Sequence, residues 1–252
     1  SKAYRIRPTP PAAPAHQAGP GQVDVVASWA EKVFYTGSTV VLEEKVDGAN
    51  MGFRLLEDGR IVAQNRSHFV NCKTHEQFKR LDWWISEHEA GLRRAIQSPR
   101  WVLYGEWLYM KHSVHYSRLP DLFLAFDLWD NERREFLSRD ALSRRLAGTG
   151  ILQVPEVARF AGPSPGLTTE GLVRLGSGRR SDYTDGLAEG VYLRVCADGK
   201  TTDRTKVVRS DFLAGNDHWT KGKYVRNVLD EFSADGGGRA PVEPSADHAA
   251  DP

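Results

Sequence analysis

The stretch "VVLEEKVDGANMGFRL", residues 40–55, sets one lysine, Lys45, at the end of an apolar run and just before a turn signal, Asp47-Gly48. The chemistry open to such a group is nucleophilic. A free lysine titrates near ~10.4, so only about 0.1% of it is amine at neutral pH, and bringing it to neutrality takes roughly 4 kcal/mol. Burial and neighbouring cations both disfavour the ammonium form and can supply that energy. A lysine at a strand end, inside a cleft, suits attack on phosphorus. The alternative is a surface lysine beside a turn, and four letters of sequence do not exclude it.

Further groups follow in a fixed order: "QNRS" with Arg66, "YGEW" with Glu106, "LAFDLWD" with Phe126, "AEGVYLRV" with Glu189 and "DRTKVVRSDF" with Lys206. Singly each is ordinary. Glu106 reads as an edge-strand charge and Phe126 as core. As an ordered set around "KVDGAN", which fits K-x-x-G-x-N, they resemble the covalent nucleotidyltransferases: ATP-dependent RNA ligases, DNA ligases and mRNA capping enzymes. Within that superfamily the chain is most similar to RNA ligases of the phage RNA ligase 2 type, also through "GEWLYMKHSVHYSRLPDLFLAFDLWD" and "HWTKG". The likeness runs from about residue 40 to 222.

The resemblance implies an α+β nucleotidyltransferase domain, ATP-grasp-like, of antiparallel sheets with flanking helices. It implies that Lys45 attacks the α-phosphorus of ATP, that AMP passes from lysine to an RNA 5′-phosphate, and that an RNA 3′-hydroxyl then displaces AMP. Phe126 would stack on adenine, offering its π-face. Glu106 would accept from the ribose hydroxyls, and Arg66 would hold a phosphate bidentately. Glu189 would help bind Mg2+ or Mn2+, which needs few carboxylates. Lys206 would neutralise the α-phosphate. Asn50 would act after lysine adenylylation, on the nucleic acid. Glu44, beside the nucleophile, joins the nucleotide-binding set. Asp47 either orients Lys45 or satisfies its turn. The family's last motif usually has two lysines one residue apart. Here Arg204 and Arg209 compete to stand with Lys206, and arginine would act by charge alone.

The implied partner is RNA with 3′-hydroxyl and 5′-phosphate ends, with an end-processing kinase or phosphatase where the ends need preparing. Rival readings are a DNA ligase, a capping-type guanylyltransferase, or an RNA-end-binding module without turnover. Only 40 residues follow Phe212, too few for an OB barrel, so no C-terminal OB domain is expected. His112 and His115, in "KHSVHY", have metal-like spacing with no third ligand nearby, and otherwise suit phosphate contact or packing.

These groups need strands to hold them. Residues 38–46, 50–56 and 60–65 read as strands, with "EDGR" as a hairpin turn. "WVLYGEWLYM" and "LFLAFDLWD" are apolar strands, and "GVYLRVCADGKTTDRTKVV" is a hairpin turning at Asp198-Gly199. Helical spacing from Thr74 through Phe78, Leu81, Ile85, Leu92 and Ile96 predicts one helix with a Thr74/Gln77 capping box, with Trp83 and Trp84 packing. A second helix follows Ser138 and stops near Gly148, and a last one carries Tyr224, Val228, Leu229 and Phe232. The ends, 1–22 and 233–252, are too poor in large apolar residues to order, leaving one folded domain over 23–232.

Composition bounds the rest. The 252 residues carry a net charge of +1, so any nucleic-acid contact needs a local patch, such as the basic segment 200–226. Two cysteines, Cys72 and Cys196, form neither a disulfide framework nor a zinc pattern. With no apolar run of spanning length and no signal-peptide core, a cytoplasmic location is expected.

Overall fold

The computed structural model describes residues 38–66, 68–161, 169–209 and 224–230. Both expected loose ends lie outside that range. The described strands form one antiparallel sheet: β1 Thr39–Lys45, β2 Ala49–Leu55, β3 Ile61–Gln64, β4 Phe69–Val70, β5 Trp101–Trp107, β6 Phe123–Asp130, β7 Glu135–Leu137, β8 Glu156–Ala161, β9 Gly190–Ala197 and β10 Lys200–Val208. The helices are α1 Leu81–Glu87, α2 Glu89–Ile96, α3 Arg139–Leu146 and α4 Thr169–Gly178. None of them is long and apolar enough to cross a membrane.

Strand order is β4-β3-β2-β5-β6-β7-β10-β9-β1-β8. Consecutive strands β1 and β2 therefore stand six places apart, roughly 29 Å in a flat sheet. Yet only Val46, Asp47 and Gly48 join them, and Lys45 and Ala49 cannot be more than about 14 Å apart. The sheet must curl until its two halves face each other. Short β7 is the bridge, pairing two residues with β6 on one side and two with β10 on the other.

Each half buries its outer face under helices. Leu81 and Trp84 of α1, Leu92 and Ile96 of α2, and Leu142 and Leu146 of α3 pack on Met51, Phe53, Leu103, Trp107, Phe123 and Leu128. On the other half, Leu172 of α4 covers Val40, Leu42, Val191, Leu193 and Val207. Gly176 permits that contact, since a Cβ there would lie 2.6 Å from a Val207 methyl.

The inner faces are tied by charge. Arg194, with no exposed surface, donates to Glu43 (2.7 and 3.0 Å) and to Asp127 (2.6 Å). Arg139 bonds the other oxygen of Glu43 at 2.9 Å, and Arg204 the other oxygen of Asp127 at 2.8 Å. Glu43 lies on β1 and Asp127 on β6, so Arg194 clasps the two halves together.

Several expectations change. The long helix splits into a 3-10 turn, Glu76–Phe78, then α1 and α2. Thr74 does not cap it, because its hydroxyl accepts the Asn71 N–H at 2.9 Å, and His75 Nδ1 accepts from Gln77 N instead. Trp84 packs as expected, whereas Trp83 is 48% exposed. Residues 224–230 are extended rather than helical, since their backbone bonds residues 109–119. Phe232 lies outside the described residues. The helix after Ser138 forms as read, with Ser138 Oγ capping Ala141 N. Asp198 and Gly199 turn the last hairpin at φ 50° and 76°.

Arg194→Met is expected to destabilise the fold by about 3–5 kcal/mol, because it strips charge partners from two buried carboxylates at once. Urea unfolding measures this, and a loss under about 1 kcal/mol would show that the clasp contributes little cohesion.

Candidate active site

Lys45 is the last residue of β1 and pairs with Gly190. A Cβ at Gly190 would lie 2.0 Å from the Val207 carbonyl oxygen, so only glycine lets β9 start this close to β10. That start sets Glu189 against the nucleophile candidate: Lys45 Nζ donates to Glu189 Oε2 at 2.6 Å, with side chains 23% and 7% exposed. The amine thus lies inside the fold rather than in open solvent.

Glu106 enters from the other half. It sits on β5 opposite Asn50 of β2 and accepts the Gly48 N–H at 3.0 Å. A Cβ at Gly48 would meet the Trp107 carbonyl at 2.5 Å, so the glycine after Asp47 is a requirement of close approach. Asp47 satisfies the loop. Its Oδ2 accepts from Ser113 N (2.7 Å) and Val114 N (2.8 Å), and its own N–H donates to the Tyr116 hydroxyl (2.7 Å).

Lys206 faces inward from β10 across from Tyr192. Burial lowers its pKa, with the positive charges of Lys45 and Arg66 acting the same way against Glu189. Arg66, exposed in the loop after β3, is therefore near enough for its charge to reach the site. Phe126 is positioned by a bulge: Tyr104 pairs with Asp127 and Gly105 with Ala125, leaving Phe126 the extra residue of β6. Its half-buried ring packs between the clusters of Leu108, Tyr116 and Leu124 and of Val102, Tyr104 and Trp129.

Two further residues of the nucleotide-binding set are committed elsewhere. Glu44 faces away from Lys45 and accepts from Ser181 Oγ (2.5 Å) and Asp182 N (3.0 Å). Arg204 is bound to Asp127 and stacked over Phe136 at 3.9 Å, so it is a buried strut and not part of a surface patch. Arg209 follows β10 and donates its N–H to the Glu189 carbonyl at 3.1 Å, which puts it beside the site. His112 has its ring 3.4 Å from Gln77 Oε1, and His115 sits 3.1 Å from the Arg226 carbonyl. Sequence reasoning missed Tyr116 and Asn227, and the site's dependence on them. Their partners are backbone groups of remote segments, which no local pattern records.

Electrostatics correct one expectation. Burial pulls the Lys45 ammonium down, but Glu189 and Glu106 outweigh it, and its pKa stands above the ordinary lysine value. The free protein holds Lys45 charged. Burial raises Glu189 too, against the pull of Lys45. Glu106 is pushed up to about 7 by burial, with Lys45 opposing. Among the described residues no three His, Cys, Asp or Glu side chains form a metal cage. A sparse oxygen set of this kind fits an ion that keeps waters and phosphate oxygens about it.

A family model described as RNA ligase matches residues 38–208. No curated protein sequence matches the chain. Among solved structures, a lysine-to-alanine mutant of Naegleria gruberi RNA ligase with ATP and Mn is similar with a TM-score of 0.57 and 17% identity, over 79% of this chain and 58% of that one. The Naegleria gruberi RNA ligase with PPi gives 0.57 and 20%, over 76% and 55%. A lysine-to-methionine mutant of it with AMP and Mn gives 0.55 and 17%, over 79% and 57%. The chain spans a little over half the length of these proteins, and at such identities the likeness is one of fold.

Because its folded pKa is raised, Glu106 contributes stability that is full below its unfolded value near ~4.3 and lost as pH rises through about 7. Glu106→Gln removes that titration. Between pH 5 and pH 8 the wild type is expected to lose on the order of 1–3 kcal/mol more than the variant. Denaturant melts at the two pH values read this, and parallel losses would show that Glu106 titrates normally.

Proposed function

The chain belongs to the RNA ligase family, and from that premise we propose that it joins RNA 3′-hydroxyl and 5′-phosphate ends using ATP, through AMP carried on Lys45. The observation that supports this most is the Lys45–Glu189 contact, in a cleft that also receives Lys206, Glu106 and Phe126 from three other strands.

The Lys45 amine attacks the α-phosphorus of ATP, forming an N–P bond as the bond to pyrophosphate breaks. The AMP then moves to the RNA 5′-phosphate, and the 3′-hydroxyl attacks that activated phosphate, releasing AMP. Lys206 would meet charge building on the α-phosphate. Glu106 holds an acceptor for ribose hydroxyls, and Phe126 presents a face for adenine. Arg66, exposed in the loop after β3, would hold the outer phosphates. Asn50, in register with Glu106, would serve the RNA stage. Since Arg204 is held by Asp127, we assign the second cation of the last motif to Arg209.

Glu189 would hold a divalent cation, Mg2+ or Mn2+, which supplies positive charge against the phosphates when bound. The Lys45 proton must leave before attack. Glu189 is the strongest support of the ammonium, and whatever draws that carboxylate away leaves burial to lower the Lys45 pKa against only Glu106 and Asp47.

Incubation with α-labelled ATP and magnesium is expected to label the wild type and leave Lys45→Ala unlabelled, with intact mass showing a gain of one AMP. Lys206→Ala is expected to slow labelling about 100- to 1,000-fold. An unlabelled wild type would reduce the protein to a binding module. Preferential labelling by GTP would make it a capping-type enzyme, and preferential sealing of an all-DNA nick a DNA ligase.

A further inference from the structure

Residues 224–230 lie far from Lys45 in sequence but are tied through Tyr116 to Asp47, two residues from it. The segment lies along the loop 108–119. Lys111 N donates to Val225 O (2.9 Å), Asn227 N to Tyr109 O (3.1 Å), Val228 N to Tyr116 O (2.9 Å) and Leu119 N to Val228 O (2.9 Å). Asn227 is its one buried residue, 8% exposed, while Tyr224, Val225, Val228 and Leu229 are all exposed. A polar side chain is inward and the apolar ones outward, so the attachment depends on hydrogen bonding rather than on hydrophobic burial.

The Asn227 amide is fully directed. Its Oδ1 accepts from Tyr116 N at 2.9 Å and its Nδ2 donates to Leu108 O at 2.8 Å, so it closes the two ends of the loop against each other. On the far side the same loop grips the nucleophile's turn. The buried Tyr116 hydroxyl accepts from Asp47 N, and Ser113 N and Val114 N donate to the Asp47 carboxylate. Asp47 is two residues from Lys45. Together with the Gly48 N–H on Glu106, this loop holds the crease between β1 and β2.

We propose that Asn227 is a positioning residue for lysine adenylylation, acting through Tyr116 and Asp47 on the placement of Lys45. The inference rests on the reading of Lys45 as nucleophile. It assigns to the 224–230 segment a share in the first chemical step, though none of its residues reaches the cleft.

The test uses the full chain and the single-turnover rate of AMP transfer to Lys45 at saturating ATP. Asn227→Ala and Tyr116→Phe are each expected to slow transfer about 10- to 100-fold, the scale of a small misplacement of a reacting group. The ATP concentration for half-saturation should stay within about two-fold, since no nucleotide contact is lost. The double variant should be no slower than the slower single one, because both break one series of contacts; independent damage would multiply. Should Asn227→Ala fail to fold, Asn227→Asp keeps the acceptor for Tyr116 N, gives up the donor to Leu108 O, and should slow transfer less. A wild-type rate in the Asn227 variants, or multiplicative slowing in the double, overturns the proposal. If the wild type itself takes no label, the function proposed above fails. Hydrogen exchange over residues 109–119 then decides the mechanical coupling: faster exchange in Asn227→Ala sustains it and unchanged protection overturns it.

Discussion

Everything in this site follows from one geometric constraint, the three-residue link between strands that stand six places apart in the sheet order. Val46, Asp47 and Gly48 are too few to let the sheet stay open. Once it curls, groups from distant parts of the chain share one cleft, and the inner faces must accommodate charge. The buried Arg194 clasp meets that demand with two carboxylates and two further arginines, so that each ion has a bonded partner. Helices cover the outer faces of both halves, and polar side chains of both meet on the inner ones.

Charge in the cleft is balanced in a way that separates the resting protein from a reacting one. Lys45 is surrounded by Glu189, Glu106 and Asp47, whose summed field exceeds the effect of burial. Lys206 is lowered, by burial first and then by the charges of Lys45 and Arg66. The two lysines of one cleft are thus shifted in opposite directions, and the difference lies in how closely Glu189 attends each. Glu189, which bonds Lys45 directly, is the carboxylate that contributes most to holding the nucleophile charged.

Much of this was legible in the sequence. Strands β1, β2, β3, β5, β6, β9 and β10 were readable from apolar runs and from the turn residues Asp58-Gly59 and Asp198-Gly199. The lysine motif stood out by its resemblance to K-x-x-G-x-N, and Gly48 leaves no room for a side chain. What was not legible depends on partners far along the chain. Glu44 and Arg204 sit at motif positions, but Ser181 and Asp127 engage them across the fold. The spacing of Tyr224, Val228 and Leu229 suits a helix face, yet their backbone is committed to the 109–119 loop. Short strands β4 and β7 and the Asn71–Thr74 turn left too little pattern to read. The neutral amine expected at Lys45 failed because spacing cannot report how many carboxylates converge on a site.

The extra residue at Phe126 carries a consequence for how this strand can change. Upstream, Phe123 and Ala125 point to the helices; downstream, Leu128 does so, while Asp127 turns to the arginines. The insertion shifts the alternation by one, so the strand has a reading frame. Exchange of Phe126 for another ring leaves that frame intact. Its deletion would close the bulge and leave Ala125, Asp127 and Leu128 on the faces they hold now, so that only the ring would be lost. Identity at this point is therefore more tightly constrained than length.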